Sequence, residues 1–306
     1  MAGSPEAGTT PGPLDPAGST VDNLDPCLER AWHPVALSRE LHPGGWLQVR
    51  LLGRNWALRR DGDTVSADPP AFGVRERLGL VWLAPAEPAD VPLEVPEAQD
   101  RRFVIGRPLP VRSAGPAGRL ADTLLHAAHG FVAPAATIGA PDRAEATPPE
   151  VTAEPGGFSS LQEHWSDDRT DPEVATGGRP LRRRCRTICT YRAPFQLRLR
   201  QEFLDSGATT TTLYLLQPED LDSTRIYAVL LLASGPGAPL PAPADVAGQV
   251  ARQHQFLEEA VRPPAVRELP LDRCDDEHVA ADRQRAALRQ ALRDFTVVRR
   301  RRHVAT

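Results

Sequence analysis

The sequence predicts an α+β chain: a small all-β unit first, then an antiparallel sheet with long helices laid across it. Three observations carry this. Strand-like runs separated by a tight turn occupy residues 46–58, and another follows at 78–83. A longer series of strands fills 195–233, opened by Phe195-Gln196-Leu197-Arg198-Leu199-Arg200, where apolar and polar residues alternate. Apolar stripes at helical spacing then pass through Val246, Val250, Leu257 and Val261, and through Leu288, Leu292 and Phe295.

The elements follow in order. Residues 1–24 are rich in Pro, Gly, Ala and Ser and cannot bury a core, so they are expected to be unstructured. Cys27 to Leu41 has the spacing of a short helix or turn. Trp46–Leu52 and Asn55–Leu58 read as strands joined at Gly53-Arg54, and Leu78–Leu83 as another. Trp32, Trp46, Trp56 and Trp82 all fall in this unit, residues 25–100, and are expected to form its core. The Pro-rich stretch 84–100 is its exit linker. The second domain spans 101–298. It opens with a strand over 103–113 and a helix from Pro116 to His129 with Leu120, Leu124 and Leu125 on one face. Residues 139–179, dense in Pro, Gly, Asp and Glu, are expected to be one long loop. Strands at Thr209–Gln217 and Arg225–Ala233 precede a helix that stops at Pro263-Pro264. An antiparallel sheet crossed by a long helix is the helix-grip (START-like) arrangement, which encloses an apolar pocket. The last stretch, 299–306, is a basic tail with Arg299 to Arg302 in a row, expected to be solvated.

Composition narrows the function classes. The chain of 306 residues is long enough for a substantial core, and its 32 prolines account for part of a modest 41% hydrophobic content. No run of eighteen apolar residues exists, so no membrane span is expected. The N-terminus has neither a basic n-region nor an apolar h-region, so it does not read as a secretory signal. Four cysteines without framework spacing fit a reducing cytoplasm. A net charge of −4 offers nucleic acid no favourable field. Cys185 and Cys189, four apart on a strand, share a face and read as inert buried thiols before a metal or redox pair. His254 is an acid–base candidate, since imidazole titrates near neutral pH, or an exposed helix residue. No Gly-x-Ser-x-Gly elbow, phosphate loop or dinucleotide fingerprint is present.

Three stretches carry a family resemblance. AWHPVALSRELHPGGWLQVRLLGRNWALRR at 31–60, AFGVRERLGLVWLAPAEP at 71–88 and the tail RELPLDRCDDEHVAADRQRAALRQALRDF resemble Rieske-type non-haem iron oxygenase α subunits. The tail is similar to the vanillate-demethylase-like and phenylpropionate-dioxygenase-like branches. The resemblance covers roughly residues 28–88, 101–140 and 210–297. It implies a Rieske β domain with Cys-x-His and Cys-x-x-His motifs holding a 2Fe-2S cluster, then a catalytic domain with a mononuclear iron. Such a cluster takes two thiolates on one iron and two imidazoles on the other. Between the first two stretches there is only Asp61 to Pro70, with no Cys and no His. Neither motif occurs anywhere in the chain. The expectation is a degenerate member with a truncated Rieske-like domain and no cluster.

The iron site departs from the family too. The resemblance implies a text like Asn-Phe-Leu-Asp-x-x-His-x-x-Phe-Val-His, with a distant Asp completing two His and one carboxylate. Here Asp122 to Ala133 is the matching text. His129 falls on the first ligand, His126 on the family's linking acid, Ala133 where the second His belongs, and Ala260 on the carboxylate position with Glu259 beside it. His126 and His129 stand three apart and share a helix face. With Glu259, or with Glu258, they are the set from which an Fe(II) site could be rebuilt. Three functions follow. One is a pocket for an apolar or aromatic small molecule, with His129, His126 and His254 as acid–base groups for a non-oxidative step. Another is a non-catalytic subunit in a homo-trimer or a hetero-oligomer with an intact oxygenase. The third is an oxygenase with the rebuilt iron. No nucleic acid and no membrane partner is expected.

Overall fold

A computed structural model describes residues 21–130, 148–167, 174, 176–178, 180–261 and 279–303, with only the backbone of 126–130, 166–167, 279–282 and 297–303. Fourteen strands and three helices are described in an α+β architecture, with every strand pairing antiparallel.

The small unit is two three-stranded sheets packed face to face. One has the order β1 (His33–Leu37), β6 (Leu80–Ala84), β5 (Gly73–Arg77). The other runs β2 (Trp46–Leu51), β3 (Arg54–Asp61), β4 (Thr64–Asp68). Val35, Val81 and Leu83 of the first meet Val49, Leu51, Trp56 and Leu58 of the second in a dry core. The stretch expected as a short helix or turn holds a 3-10 turn at Pro26–Arg30, but also strand β1. Of the four tryptophans, Trp56 and Trp82 are buried as expected, while Trp32 is half-buried under Arg75. Trp46 is a correction: it opens β2 and stands 69% exposed.

The large sheet has the order β7 (Val104–Gly106), β14 (Ser223–Ala233), β13 (Thr209–Asp220), β12 (Gln196–Phe203), β11 (Arg182–Arg192), β10 (Gly157–Asp167), β9 (Glu150–Glu154). β8 (Val111–Ala114) pairs with the start of β14. The single strand expected over 103–113 is thus two, interrupted at Pro108 and Pro110, which donate no ladder hydrogen bond. The expected loop over 139–179 is corrected at its centre, where β9 and β10 extend the sheet. Three helices cover the inner face: α1 (Ala117–Gly130), α2 (Pro243–Ala260) and α3 (Val279–His303). Residues 299–303 of the expected basic tail continue α3.

Burial explains the sequence pattern of these strands. β13 and β14 are covered by helices on one face and by the small unit on the other, so their residues read as near-continuous buried runs. Leu213, Leu215, Tyr227, Val229 and Leu231 pack against Leu37, Leu80 and Trp82. β11 alternates because its outer face is open. The inner core joins Leu120, Leu124, Leu257, Leu288 and Leu292 to Tyr191, Leu197 and Tyr214, and includes Cys27, Leu28 and Ala31. Val21–Leu24, expected within the unstructured leader, are pinned instead. The Asn23 amide donates to Asp220 O, Ser223 O and Thr224 Oγ1 at 2.8, 3.0 and 2.9 Å. Residues 1–20 lie outside the described residues. No described helix is long and apolar enough to cross a membrane.

Candidate functional site

The end of the small unit is built from main chain and ion pairs. β3 and β4 form a hairpin whose two-residue loop, Gly62-Asp63, lies between the paired Asp61 and Thr64, with Gly62 at φ 56°. Arg60 crosses behind it. Its Nε donates to Leu41 O at 2.9 Å, and its two terminal nitrogens reach both oxygens of Glu76 at 2.9 and 2.6 Å. This contact holds the Glu76 carboxyl below the usual range and raises Arg60.

A Rieske cluster does not fit this donor set. Between Ala31 and Ala84 the nitrogen and sulfur donors are His33 and His42, with no cysteine. His33 is buried, its Nε2 2.8 Å from Leu28 O, and burial lowers it to about 4, so it is neutral. His42 is exposed. Cys27 is buried with its Sγ 3.5 Å from Thr296 O. Cys185 and Cys189 are buried on the inner face of β11, and desolvation pushes their thiols up to about 11 and about 12. Cys274 lies outside the described residues.

In the large domain, α1 turns Leu120, Ala121, Leu124 and Leu125 into the core and ties itself to α3 through Asp122 and Arg285. His126 and His129 lie on its last turn, where only the backbone is described; Ala133 lies outside the described residues. On α2 the inward face is Gln253, Phe256, Leu257 and Ala260. Glu259, one residue earlier and so about 100° round the helix, is exposed and accepts a hydrogen bond from Gln255 Nε2 at 3.0 Å. His254 is half-buried. Its Nε2 lies 3.5 Å from Glu258 Oε1, and its buried Nδ1 has no hydrogen-bond partner among the described residues. Among the described residues no three His, Cys, Asp or Glu side chains stand close enough to hold a metal.

The sheet supplies the other wall of this interior, in rows set by strand register. The first row, Phe158, Tyr191, Leu197 and Tyr214, is apolar or aromatic. Burial raises both tyrosines well above their usual values. The second is Ser160, Cys189, Leu199 and Thr212, the third Gln162, Thr187, Gln201 and Thr210. Beyond it stand His164 and Cys185, which face each other across β10 and β11. Two hydrogen bonds fasten the helices to this wall: Gln253 Nε2 to Tyr214 Oη at 3.0 Å, and Gln284 Nε2 to Ser160 Oγ. None of Tyr214, Gln253, Ser160, Gln284 or His164 was picked out from the sequence. The signal was hidden because β10 inverts the usual pattern. Its inner residues Ser160, Gln162 and His164 are polar, while its outer face carries Leu161 and Trp165.

No protein-family model matches this sequence, and no curated protein does. Solved structures do. The Pseudomonas putida CBB5 NdmA QL mutant with caffeine superposes with a TM-score of 0.65 over 90% of this chain and 97% of that one, at 18% identity. NdmB of the same organism gives 0.64 over 90% and 98%, at 14% identity. Dicamba monooxygenase with non-heme iron and dicamba gives 0.59 over 90% and 99%, at 15% identity. These neighbours are Rieske-type oxygenases. The chain has their fold, along almost the whole of their length.

Proposed function

We propose that this chain is a Rieske-oxygenase-like protein without the electron-entry cluster. Its large domain, read as a helix-grip (START-like) unit, binds an apolar or aromatic small molecule. The observation that carries the reading is the closed β3–β4 hairpin, where Arg60 and Glu76 satisfy each other and no cysteine lies between Ala31 and Ala84. The neighbours' ligands support a flat molecule: caffeine with NdmA, dicamba with the monooxygenase. Proton transfer by His129, His126 or His254 is the chemistry open to such a pocket. Four cysteines without a disulfide framework favour a cytoplasmic location.

The test is the iron and acid-labile sulfide content of the protein purified under nitrogen. The expected result is neither. Sulfide with iron overturns the reading. Iron alone supports instead an Fe(II) site rebuilt from His126, His129 and Glu259, which requires the exposed Glu259 carboxylate to come round to the inward face of α2.

A second reading, a non-catalytic subunit of a trimer or of a hetero-oligomer with an intact oxygenase, is favoured by a separate observation. The outer face of β10 exposes Leu161 and Trp165, with Arg182 5.1 Å from the Trp165 ring. Light scattering on the wild type and on Trp165→Asp tests it; an unchanged monomer in both removes the homo-oligomer.

A further inference from the structure

On the face of the large sheet that turns away from the helices, a cavity of about 400 Å³ opens at the seam with the small unit. One wall is the 3-10 turn Pro96–Gln99 and the chain that follows it to Phe103. The other is the segment leaving β14, from Ala233 to Leu240. Arg200 of β12 and Thr209 of β13 form the floor. Both alternate with the inner-row residues of their strands, so this cavity lies outside the helix-covered interior. It is open to solvent: Arg102 and Leu240 at its rim are 82% and 58% exposed. The second wall is held main chain to main chain. A Cβ on Gly235 would stand 1.9 Å from Ser206 O, and one on Gly207 would stand 2.6 Å from Pro236 Cδ.

The carboxylates of the lining are already filled. Asp100 Oδ1 accepts from Arg102 N and Nε at 2.9 and 3.1 Å, and Oδ2 from Nε and Nη2 at 3.0 and 2.6 Å. Glu97 Oε1 accepts from Arg200 Nη1 at 2.8 Å and from Thr211 Oγ1 at 3.2 Å. Its Oε2 is closed to solvent, 4.0 Å from Arg198 Nη1. The donors are not filled. A guanidinium carries N–H groups on all three nitrogens. Arg200 spends Nε on Glu202 and Nη1 on Glu97, and Arg102 spends Nε and Nη2 on Asp100. Arg200 Nη2, Arg102 Nη1 and the hydroxyls of Thr209 and Ser234 have no hydrogen-bond partner among the described residues.

This inventory selects a ligand chemistry. The arginines are already paired with carboxylates, so an anion gains no net field and is repelled by Glu97 and Glu202. A cation finds no open carboxylate oxygen. A neutral carbonyl accepts the spare N–H and O–H groups without bringing charge. Phe103, Pro96, Pro236 and Leu240 offer apolar surface to the rest of the molecule. We infer that this seam is a ligand site distinct from the interior, taking an uncharged molecule that presents carbonyl oxygen to Arg200, Arg102 and Thr209 and lays an apolar body against Phe103 and Leu240. It does not depend on what the interior binds.

Equilibrium dialysis of the full-length protein against four probes of one shape tests it: 2-acetylnaphthalene, 2-naphthoate, 1-(2-naphthyl)ethylammonium and 2-ethylnaphthalene. The ketone should bind about tenfold tighter than each of the others. Ala238→Trp, at an exposed position of the lining, should abolish that binding by filling the cavity. Arg102→Met, on the rim, releases Asp100, so the ketone should lose and the ammonium gain. Naphthoate binding as tightly as the ketone overturns the inference, because arginine charge would then be open. Equal binding of ketone and hydrocarbon overturns it, because the donors would read nothing. Ketone binding that survives Ala238→Trp belongs to another site, and no binding by any probe means no such site exists; either result overturns it as well.

Discussion

Arg285 of α3 grips Asp122 of α1 with both arms: Nε to Oδ1 at 3.0 Å and Nη2 to Oδ2 at 2.8 Å. Asp122 is 2% exposed, and Arg119 approaches the same carboxylate at 3.7 Å. The pair sets the distance between the helix that carries His126 and His129 and the helix that carries Gln284. Asp122→Ala would remove the carboxylate that Arg285 holds with two of its nitrogens. We expect a loss of about 2 kcal/mol in a urea titration, less than for a fully buried pair because Arg285 reaches solvent. A loss below a few tenths would mean that packing alone joins α1 to α3.

His33 makes stability pH-dependent in a definite direction. Its folded value, lowered to about 4 by burial, lies below the unfolded 6.5. Between those values the unfolded chain takes up a proton that the folded chain refuses. The contribution is therefore complete above pH 6.5 and is lost as pH falls toward 4, amounting to about 3 kcal/mol. His33→Gln keeps a donor near Leu28 O and cannot titrate, so its stability should fall less than that of wild type between pH 7 and 4.5. Parallel pH profiles would place the acid sensitivity elsewhere.

The thiols should be silent in the folded protein. Cys27, Cys185 and Cys189 are buried, and the thiols of the latter two sit at about 11 and about 12. In a Cys274→Ser variant we expect no rapid reaction with a chromogenic disulfide in buffer and three equivalents in denaturant. A fast native equivalent would show that the inner face of β11 is open to reagents.

Gly157 tests the register of β10, the strand that carries the polar wall. A Cβ there would stand 1.9 Å from Tyr191 O, a main-chain atom that cannot step aside. Gly157→Ala should cost about 3 kcal/mol, the upper end of overpacking. The same substitution at Gly62, where a Cβ meets nothing within 4 Å but φ is 56°, should cost about 1 kcal/mol. Thermal melts of the two variants check the order.

Much of the fold was readable from residue patterns. The strands at 46–58, 195–200, 209–217 and 225–233 and the helices around Leu124, Leu257 and Leu292 stand where the apolar period puts them, because each buries one stripe or two faces, while the strand expected at 78–83 begins only at Leu80, after a turn at Leu78 and Gly79. The absence of cluster ligands between Arg60 and Ala71 is likewise a fact of the sequence, since chemistry fixes which side chains bind iron and sulfide. Strand β10 was not legible, because local pattern records burial only when the buried face is apolar, and beyond Phe158 its inner face is Ser160, Gln162 and His164.

What the sequence determined by itself is the α+β class, the order of its parts and the absence of a Cys-x-His or Cys-x-x-His motif. These depend on residue type and near-neighbour spacing. What only the tertiary structure decided is which polar groups meet inside: Gln253 with Tyr214, Gln284 with Ser160, Asp122 with Arg285, and the row from Gln162 to Thr210. Those partners lie far apart along the chain. Their pairing comes from strand register and helix docking, which are settled by the sum of packing over the whole core and not by any local run of residues.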